Sequence, residues 1–330
     1  MEIKMKKIIF KHKEAVPIFF AVDDRYAPYL AVALSSLTEN ASPNFEYKVY
    51  VLIDKLSEEN RRKLKREERK NLSIEFVDVK AKLDSVGRLL HLRDYYTQTT
   101  YYRFFIPDLF PQYKRGIYLD CDILVLGDIS RLHTTELGTN LLGAVTDEVI
   151  TRIEVFGNYA ERVLGVPREE YFNAGILVMN LEEMRKCDIE NKFVDMIGKV
   201  RFSVAQDQDY LNVLCHGRIK YLPLGWNKTA FPDAVRNSEL HIIHFKINWK
   251  PWHYDGVSLG DEFWDYAART EYYEEILAIK DSYTEADCAR DAQQYANLVA
   301  LALSETEAAV GKCGDGLPVD FFAIPEACAV

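Results

Sequence analysis

A chain of 330 residues, 48% hydrophobic and 28% charged, is long enough for one large domain or one domain with an appendage, and its composition is that of an ordered soluble protein. Its formal net charge of −10 excludes nucleic acid and anionic membrane as generic partners, because both select a basic surface. The six cysteines form no C-x-x-C pair, which points to reduced thiols in a cytoplasmic protein.

Lys4, Lys6 and Lys7 imitate the start of a signal peptide, but Ile8-Ile9-Phe10 is too short for its apolar region and Lys11, Lys13 and Glu14 interrupt it. No later run is long enough to span a bilayer, so the chain is expected to stay inside the cell. Residues 16–22 read as a buried strand, followed by the acidic loop Asp23-Asp24-Arg25 and an alanine- and leucine-rich helix over 26–37. A second strand covers 47–53. Ser57 then starts a charged helix to about Lys70, whose basic run Arg61 to Arg66 is interleaved with Glu58, Glu59, Glu67 and Glu68 as a solvated face. Next come a strand over 73–79, a helix over 99–105, a turn at Pro107 and a strand at 117–119. This alternation predicts an α/β fold, a mostly parallel sheet with helices on both faces, and ligands at the carboxyl ends of its strands, where Asp23 and Asp120 lie.

After this half the order becomes mixed. Short strands are predicted at 141–145, 175–179, 219–224 and 241–245, with helices over 188–199 and 207–215. From about Gly256 the character changes again. Thr284 and Asp287 resemble a capping box opening a helix over 285–303, with an apolar seam at Cys288, Tyr295, Val299 and Ala302. The glycines from Gly311 to Gly316 neither follow a strand nor open a helix, which argues against a phosphate loop.

The most informative stretch runs from Arg115 to Ile129. The apolar run 117–119 ends in Asp120 and Asp122, flanking Cys121, and apolar residues then resume at once. Two like charges in a poorly solvated place are costly unless something positive is bound there, and hard divalent cations prefer oxygen ligands. Asp207-Gln-Asp209 is a second such triplet.

Five other segments are candidates, each with a plainer alternative. Asp23 can accept from the imide N–H of a pyrimidine or serve as a turn aspartate. Arg103 can grip a carboxylate or phosphate with its planar fork, or make a structural ion pair. Asn173-Ala174-Gly175 allows close approach of a sugar, or marks a β-bulge. Gln206-Asp-Gln-Asp209 offers Asp207 and Gln208 to hydroxyls, or caps a helix. His244 can be a metal ligand or structural, and Lys250, in Lys250-Pro-Trp252, can be a point charge for diphosphate.

In this order the motifs resemble those of the family 8 retaining glycosyltransferases, which include glycogenin and the bacterial lipooligosaccharide galactosyltransferases. The likeness covers about 16–253. It implies a GT-A fold (a Rossmann-like nucleotide-binding half and a mixed central sheet) over 1–255, with a C-terminal helical extension over 256–330. It also implies transfer of glucose or galactose from UDP-glucose or UDP-galactose to a carbohydrate, glycoconjugate or other hydroxyl acceptor, with Mn²⁺ or Mg²⁺. By position, Asp120, Asp122 and His244 match the metal ligands. Ala21 and Asp23 match uridine contacts, Lys250 the diphosphate contact, and Arg103, Asn173, Asp207 and Gln208 the catalytic residues around the donor sugar. Cys121 belongs to the donor-binding set with its two neighbours. Two departures are visible: Arg25 replaces a small polar residue, and Ile247 stands where relatives often place a glycine.

Two other classes are compatible with the acidic pair, a metal-dependent nucleotide-sugar phosphohydrolase and a non-catalytic UDP-sugar binder. A nicotinamide dehydrogenase is excluded because no G-x-G-x-x-G follows the first strand. The acidic C-terminal segment predicts no strong membrane binding, and a helix from Glu285 packed on its own catalytic domain or on a second subunit in a homo-oligomer. Asp122→Asn is expected to leave the fold intact, since removing one charge of a pair relieves repulsion.

Overall fold

The computed structural model describes residues 13–86 and 98–311. Lys4, Lys6 and Lys7, the glycine-rich stretch beyond Gly311, and Cys313 and Cys328 lie outside the described residues. In chain order the strands are β1 (Glu14–Ala21), β2 (Phe45–Ile53), β3 (Leu72–Asp78), β4 (Gly116–Leu119), β5 (Ile123–Val125), β6 (Leu142–Thr146), β7 (Phe172–Met179), β8 (Ile219–Tyr221), β9 (Lys228–Thr229) and β10 (Ile242–His244).

β1 is buried from Val16 onward, as an apolar run with no charge after Glu14 should be when strands flank it on both sides. It pairs in parallel with β2 and with β4, and Pro17, which has no N–H to give, lies one residue before the pairing with β4 begins. The main sheet runs β3-β2-β1-β4-β7-β6-β8. β7 alone runs antiparallel, between β4 and β6, so the sheet is mostly parallel, as expected, with one reversed strand that makes it mixed. The order reverses between β1 and β4, which opens a cleft at their carboxyl ends. A second sheet, β5-β10-β9, pairs His244 with Ile123 and so brings it to the residues that follow β4.

Several local expectations shift for physical reasons. The charged helix is only Glu58–Leu64, followed by a 3₁₀ turn at Lys65–Glu67; Ser57 caps it through Asn60 N–H at 3.3 Å, and Glu68 ends it by accepting from Ile74 N–H of β3 at 2.8 Å. The 99–105 segment is a 3₁₀ helix, Gln98–Phe104, and Pro107 sits in the first turn of a short helix, Ile106–Leu109, where a missing N–H is harmless. The 219–224 strand stops at Tyr221.

Apolar side chains fill both faces of the main sheet. Phe263, Ala267 and Ile276, from helices Gly260–Ala267 and Tyr273–Asp281, and Tyr272, which precedes the second, join the core on the face of helix Ala27–Asn40. The capping box at Thr284 forms, with Thr284 N–H donating to Asp287 at 2.8 Å and Asp287 N–H to Thr284 Oγ1 at 3.3 Å. The helix it opens, Glu285–Gly311, runs past the expected end and lies on helix Glu154–Arg162, with Ala302 buried and Tyr295, Leu298 and Val299 half-buried against the core. Among the described residues no helix is long and apolar enough to cross a membrane.

Candidate active site

Asp120 and Asp122 occupy the two-way junction between β4 and β5. Asp120 N–H donates to Gly175 O at 2.7 Å, and Phe245 N–H to Asp122 O at 2.9 Å, so the main chain ties this junction to β7 and to the end of β10. The result brings one ligand atom each from Asp120, Asp122 and His244 within 4.8 Å of one another. His244 Nε2 lies 3.1 Å from Asp122 Oδ1 and 3.7 Å from Asp120 Oδ2.

The orientation of His244 is fixed from behind. Asn227 Nδ2 donates to Asn173 Oδ1 at 2.8 Å, which leaves Asn227 Oδ1 to accept from His244 Nδ1 at 3.0 Å. Nε2 is thereby aimed at the carboxylates, the arrangement that a nitrogen ligand requires. Gly175 makes the space: a Cβ there would stand 2.3 Å from His244 Cε1 and 2.6 Å from Asp120 Oδ2. Two carboxylates and an aimed imidazole, packed around a missing side chain, fit a divalent cation with a borderline oxygen and nitrogen preference.

The acidic pair is not bare. Asp120 Oδ1 receives Tyr118 O–H at 2.9 Å and Arg103 Nη2 at 3.1 Å, while Asp122 Oδ2 receives Lys250 Nζ. Burial by itself would raise the Asp122 carboxyl, but Lys250 and His244 hold it well below the usual carboxylate range. The positive charge that two neighbouring acids demand is thus partly supplied by the chain's own Arg103 and Lys250.

A pocket opens beside this cluster, with Ala21, Tyr26, Asn173, Asp207, Gln208 and Lys246 in its lining. Gln206, which precedes helix Asp207–Cys215, takes φ 48° and ψ −116°, a backbone state that side chains rarely adopt and that typically stores about 1–3 kcal/mol. It swings the next two residues into the pocket. Asp207 Oδ2 lies 3.1 Å from Arg103 Nε, yet that N–H is spent on Thr100 O at 2.9 Å, so Oδ2 is buried with no hydrogen-bond donor. Gln208 is used at both ends of its amide. Oε1 accepts from Ala174 N–H at 2.9 Å and Asn173 Nδ2 at 3.0 Å, and Nε2 donates to Asp147 Oδ2 and to the Tyr171 hydroxyl oxygen, both at 3.2 Å.

The sequence matches the family described as Glycosyl transferase family 8 over residues 17–256. This chain belongs to that family. Among its relatives, General stress protein A of Bacillus subtilis (strain 168) is 28% identical over 286 residues, which is 78% of this chain and 95% of that protein. The Lipopolysaccharide 1,2-glucosyltransferase of Escherichia coli (strain K12) is 25% identical over 298 residues, 85% of this chain and 82% of that one. The crystal structure of the galactosyltransferase LgtC, in complex with donor and acceptor sugar analogs, superposes with a TM-score of 0.65 at 30% identity, over 79% of this chain and all of that one. The bifunctional glycosyltransferase WbbM gives a TM-score of 0.71 at 28% identity, but the match spans only 52% of that larger chain. The fold is therefore GT-A and the protein is a glycosyltransferase.

Within this family 8 glycosyltransferase, the structure brings together Asp120, Cys121, Asp122, His244, Lys250, Arg103, Asn173, Asp207, Gln208 and Ala21 around one pocket. Asp23 stands apart from the lining. Its Oδ1 accepts from the N–H groups of Arg25 and Tyr26, both at 3.1 Å, which is the turn-aspartate arrangement, and Arg25 pairs with its Oδ2 at 3.5 Å. Cys121 is buried with its thiol on Ala21 O at 3.3 Å. Asn173-Ala174-Gly175 coincides with a register shift between β6 and β7, so the bulge and the close approach occur together, the close approach being that of His244 and Asp120. Ile247 takes φ 56°, keeping the left-handed backbone that a glycine would adopt there.

Sequence reasoning missed Asp147, Lys246, Asn227 and Tyr118. Asp147 is buried one residue past β6, with Lys246 Nζ at 2.8 Å and Asn173 Nδ2 at 2.9 Å, and despite burial Lys246 holds its carboxyl below the usual range. An acid just past a strand end, as at Asp23 and Asp120, was the available signal. These bonds form one chain, Lys246–Asp147–Asn173–Asn227–His244–Asp122–Lys250, across the floor of the site. Asn227→Ala is expected to weaken metal-dependent UDP binding about 10–100-fold, the usual effect of removing the partner that orients a ligating histidine. Calorimetry in the presence of Mn²⁺ checks it, and wild-type affinity would show that Asn227 does not orient His244.

Asp207 supplies a pH signature. Burial pushes its carboxyl up to about 7, with Asp120 and Asp209 adding to the rise and Arg103 opposing it. A carboxyl raised in the folded state stabilises the fold fully below its unfolded value near 3.8, and that contribution is lost as pH rises through about 7. The melting temperature of Asp207→Asn, taken relative to the wild type, should therefore climb between pH 5 and pH 8. A difference independent of pH would show that Asp207 is ionised throughout that range.

Proposed function

We propose that this enzyme is a retaining hexosyltransferase, moving glucose or galactose from a UDP-sugar to a hydroxyl of a saccharide or other acceptor, in the cytoplasm, with Mn²⁺ or Mg²⁺ as cofactor. The observation that carries this reading is the convergence of Asp120, Asp122 and His244 in the space left by Gly175, with Lys250 on the same carboxylate. When bound there, a divalent ion supplies Lewis-acid charge to the departing diphosphate.

The rest falls to the chain's own groups. Lys250 Nζ, 7% exposed as a residue, offers a fixed positive charge where the leaving diphosphate gains negative charge. Ala21 and Tyr26 line the pocket at the end assigned to uridine. Arg103, buried and bonded to Ala174 O and Asp120, holds Asp207 close, and the undonated Asp207 Oδ2 accepts a hydroxyl of the donor sugar. Asn173 and Gln208 line the sugar's other side.

Retention follows from attack on the face that the diphosphate leaves. The acceptor oxygen bonds to the anomeric carbon as the carbon–oxygen bond to diphosphate breaks; the electron pair leaves on UDP, and the acceptor's proton passes to the leaving phosphate oxygen. The alternative, a covalent adduct, needs a nucleophile free to attack. Gln208 is a neutral amide with its oxygen held by two N–H donors, which counts against it. We further propose 1–255 as the catalytic unit and 256–330 as an extension of it.

Incubation with UDP-glucose, UDP-galactose or UDP-N-acetylglucosamine, Mn²⁺ and a panel of sugar acceptors tests this reading. Product with the donor's anomeric configuration, read from proton couplings, is expected from one of the first two. Release of sugar phosphate without any glycoside product would favour the phosphohydrolase instead.

A further inference from the structure

The pocket has a second, apolar side that the donor reading does not use. Beyond Asp147 and Gln208 its lining turns to Val149, Ile150, Phe156, Val204 and Leu298. The first four are core residues, 2–7% exposed, from the segment after β6 and the loop before helix Asp207–Cys215. Leu298 is different. It comes from the helix Glu285–Gly311, outside the residues that match the family, and it is half-buried.

That helix is held in place at both sides of the residue. Tyr295 meets Phe156 edge-on at 6.4 Å between ring centroids, and Ala302 is fully buried. One turn or two earlier, Asp291 accepts Tyr254 O–H at 2.7 Å and Tyr283 O–H at 2.5 Å, and Tyr283 stacks on His253 at 4.0 Å. His253 and Tyr254 follow directly on Lys250-Pro251-Trp252, so the helix is bonded to the segment that carries the diphosphate lysine.

We propose that Leu298 and the apolar side chains beside it form the outer part of the acceptor site, and that the acceptor carries an apolar aryl or alkyl group next to the sugar whose hydroxyl attacks. Apolar side chains offer no hydrogen-bond partner to sugar hydroxyls, so a free sugar would leave its polar groups unpaired against this wall. An apolar aglycone would instead remove both surfaces from water. The occupant must enter the pocket that also holds Asp207, Gln208 and the metal cluster, which is why the wall belongs to the acceptor and not to a separate ligand. This inference rests on the hexosyltransferase reading.

The test compares transfer to a free hexose, glucose or galactose, with transfer to its phenyl and octyl glycosides, in the wild type, Leu298→Asn and Leu298→Met. The wild type should favour the phenyl or octyl glycoside through a lower KM. Leu298→Asn should raise that KM by about tenfold or more with kcat little changed, the scale on which apolar pockets discriminate. Leu298→Met should keep the preference, which a loss of helix packing alone would not predict. Equal KM values for free and apolar acceptors in the wild type overturn the inference, and need no variant to fold. So does a KM rise in Leu298→Asn that is the same for the free hexose. Calorimetry of UDP with Mn²⁺ separates the two levels. Metal-dependent UDP binding without an apolar preference sinks only the acceptor wall, whereas no metal-dependent binding sinks the hexosyltransferase reading and this inference with it.

Discussion

Gly175→Ala is expected to lose donor transfer by on the order of 10²–10³ or more, the scale seen when one stabiliser of transition-state charge is removed. The added Cβ would lie 2.3 Å from His244 Cε1 and 2.6 Å from Asp120 Oδ2, closer than such contacts occur. Neither neighbour can yield cheaply. His244 is held between Asn227 and Asp122, and Asp120 between Tyr118 and Arg103. The shift must therefore separate the three ligand atoms, and overpacking of this kind typically costs about 1–3 kcal/mol of stability. The expected phenotype is a folded protein, a few degrees less stable, in which Mn²⁺ no longer strengthens UDP binding. A Gly175→Ala protein with wild-type metal dependence would mean that the three side chains do not share an ion.

Asp122→Asn is the second large effect. Transfer should fall to background, because the amide is a poor ligand and the Lys250 and His244 contacts on Oδ2 and Oδ1 lose their charge. Its effect on the fold departs from the expectation raised by the sequence. Repulsion between Asp120 and Asp122 is already offset by Arg103 and Lys250, so the substitution relieves little and strands a buried ammonium. Leaving one partner of a buried pair alone costs about 3–5 kcal/mol in well-studied cases. The melting temperature should drop at neutral pH. The Asp122 carboxyl is depressed in the folded state, so its contribution is present above the unfolded value near 3.8 and is lost as pH falls below it. The gap between variant and wild type should accordingly narrow in acid. An unchanged melting temperature at pH 7 would restore the simple repulsion argument.

Much of the site was legible because chemistry-bearing residues stand at strand ends. Asp120, Asp122 and His244 each follow or close an apolar run, and Lys250 sits in a short motif of its own. What sequence could not supply is approach between distant segments. Asn227 and Asn173 are 54 residues apart and meet at 2.8 Å; nothing local marks Asn227 as the support of His244. Gly175 reads as a bulge because its actual neighbours, His244 and Asp120, arrive from two other strands. Tyr118 was absorbed into an apolar run although its hydroxyl serves Asp120. The second sheet escaped notice because β5 has three residues and β9 two, too few for any periodicity to register. Helix lengths failed for the same kind of reason: the Glu58–Leu64 helix ends where Glu68 bonds across to β3, a tertiary event.

The central claim is that Asp120, Asp122 and His244 hold a divalent ion that joins UDP to this protein. Titration calorimetry of UDP, with Mn²⁺ and with chelator, in the wild type and in Asp122→Asn, measures it directly. Tight binding by the wild type only when Mn²⁺ is present, and weak binding by the variant in both conditions, is the predicted result. Equal affinity of the wild type for UDP with and without the metal would contradict it.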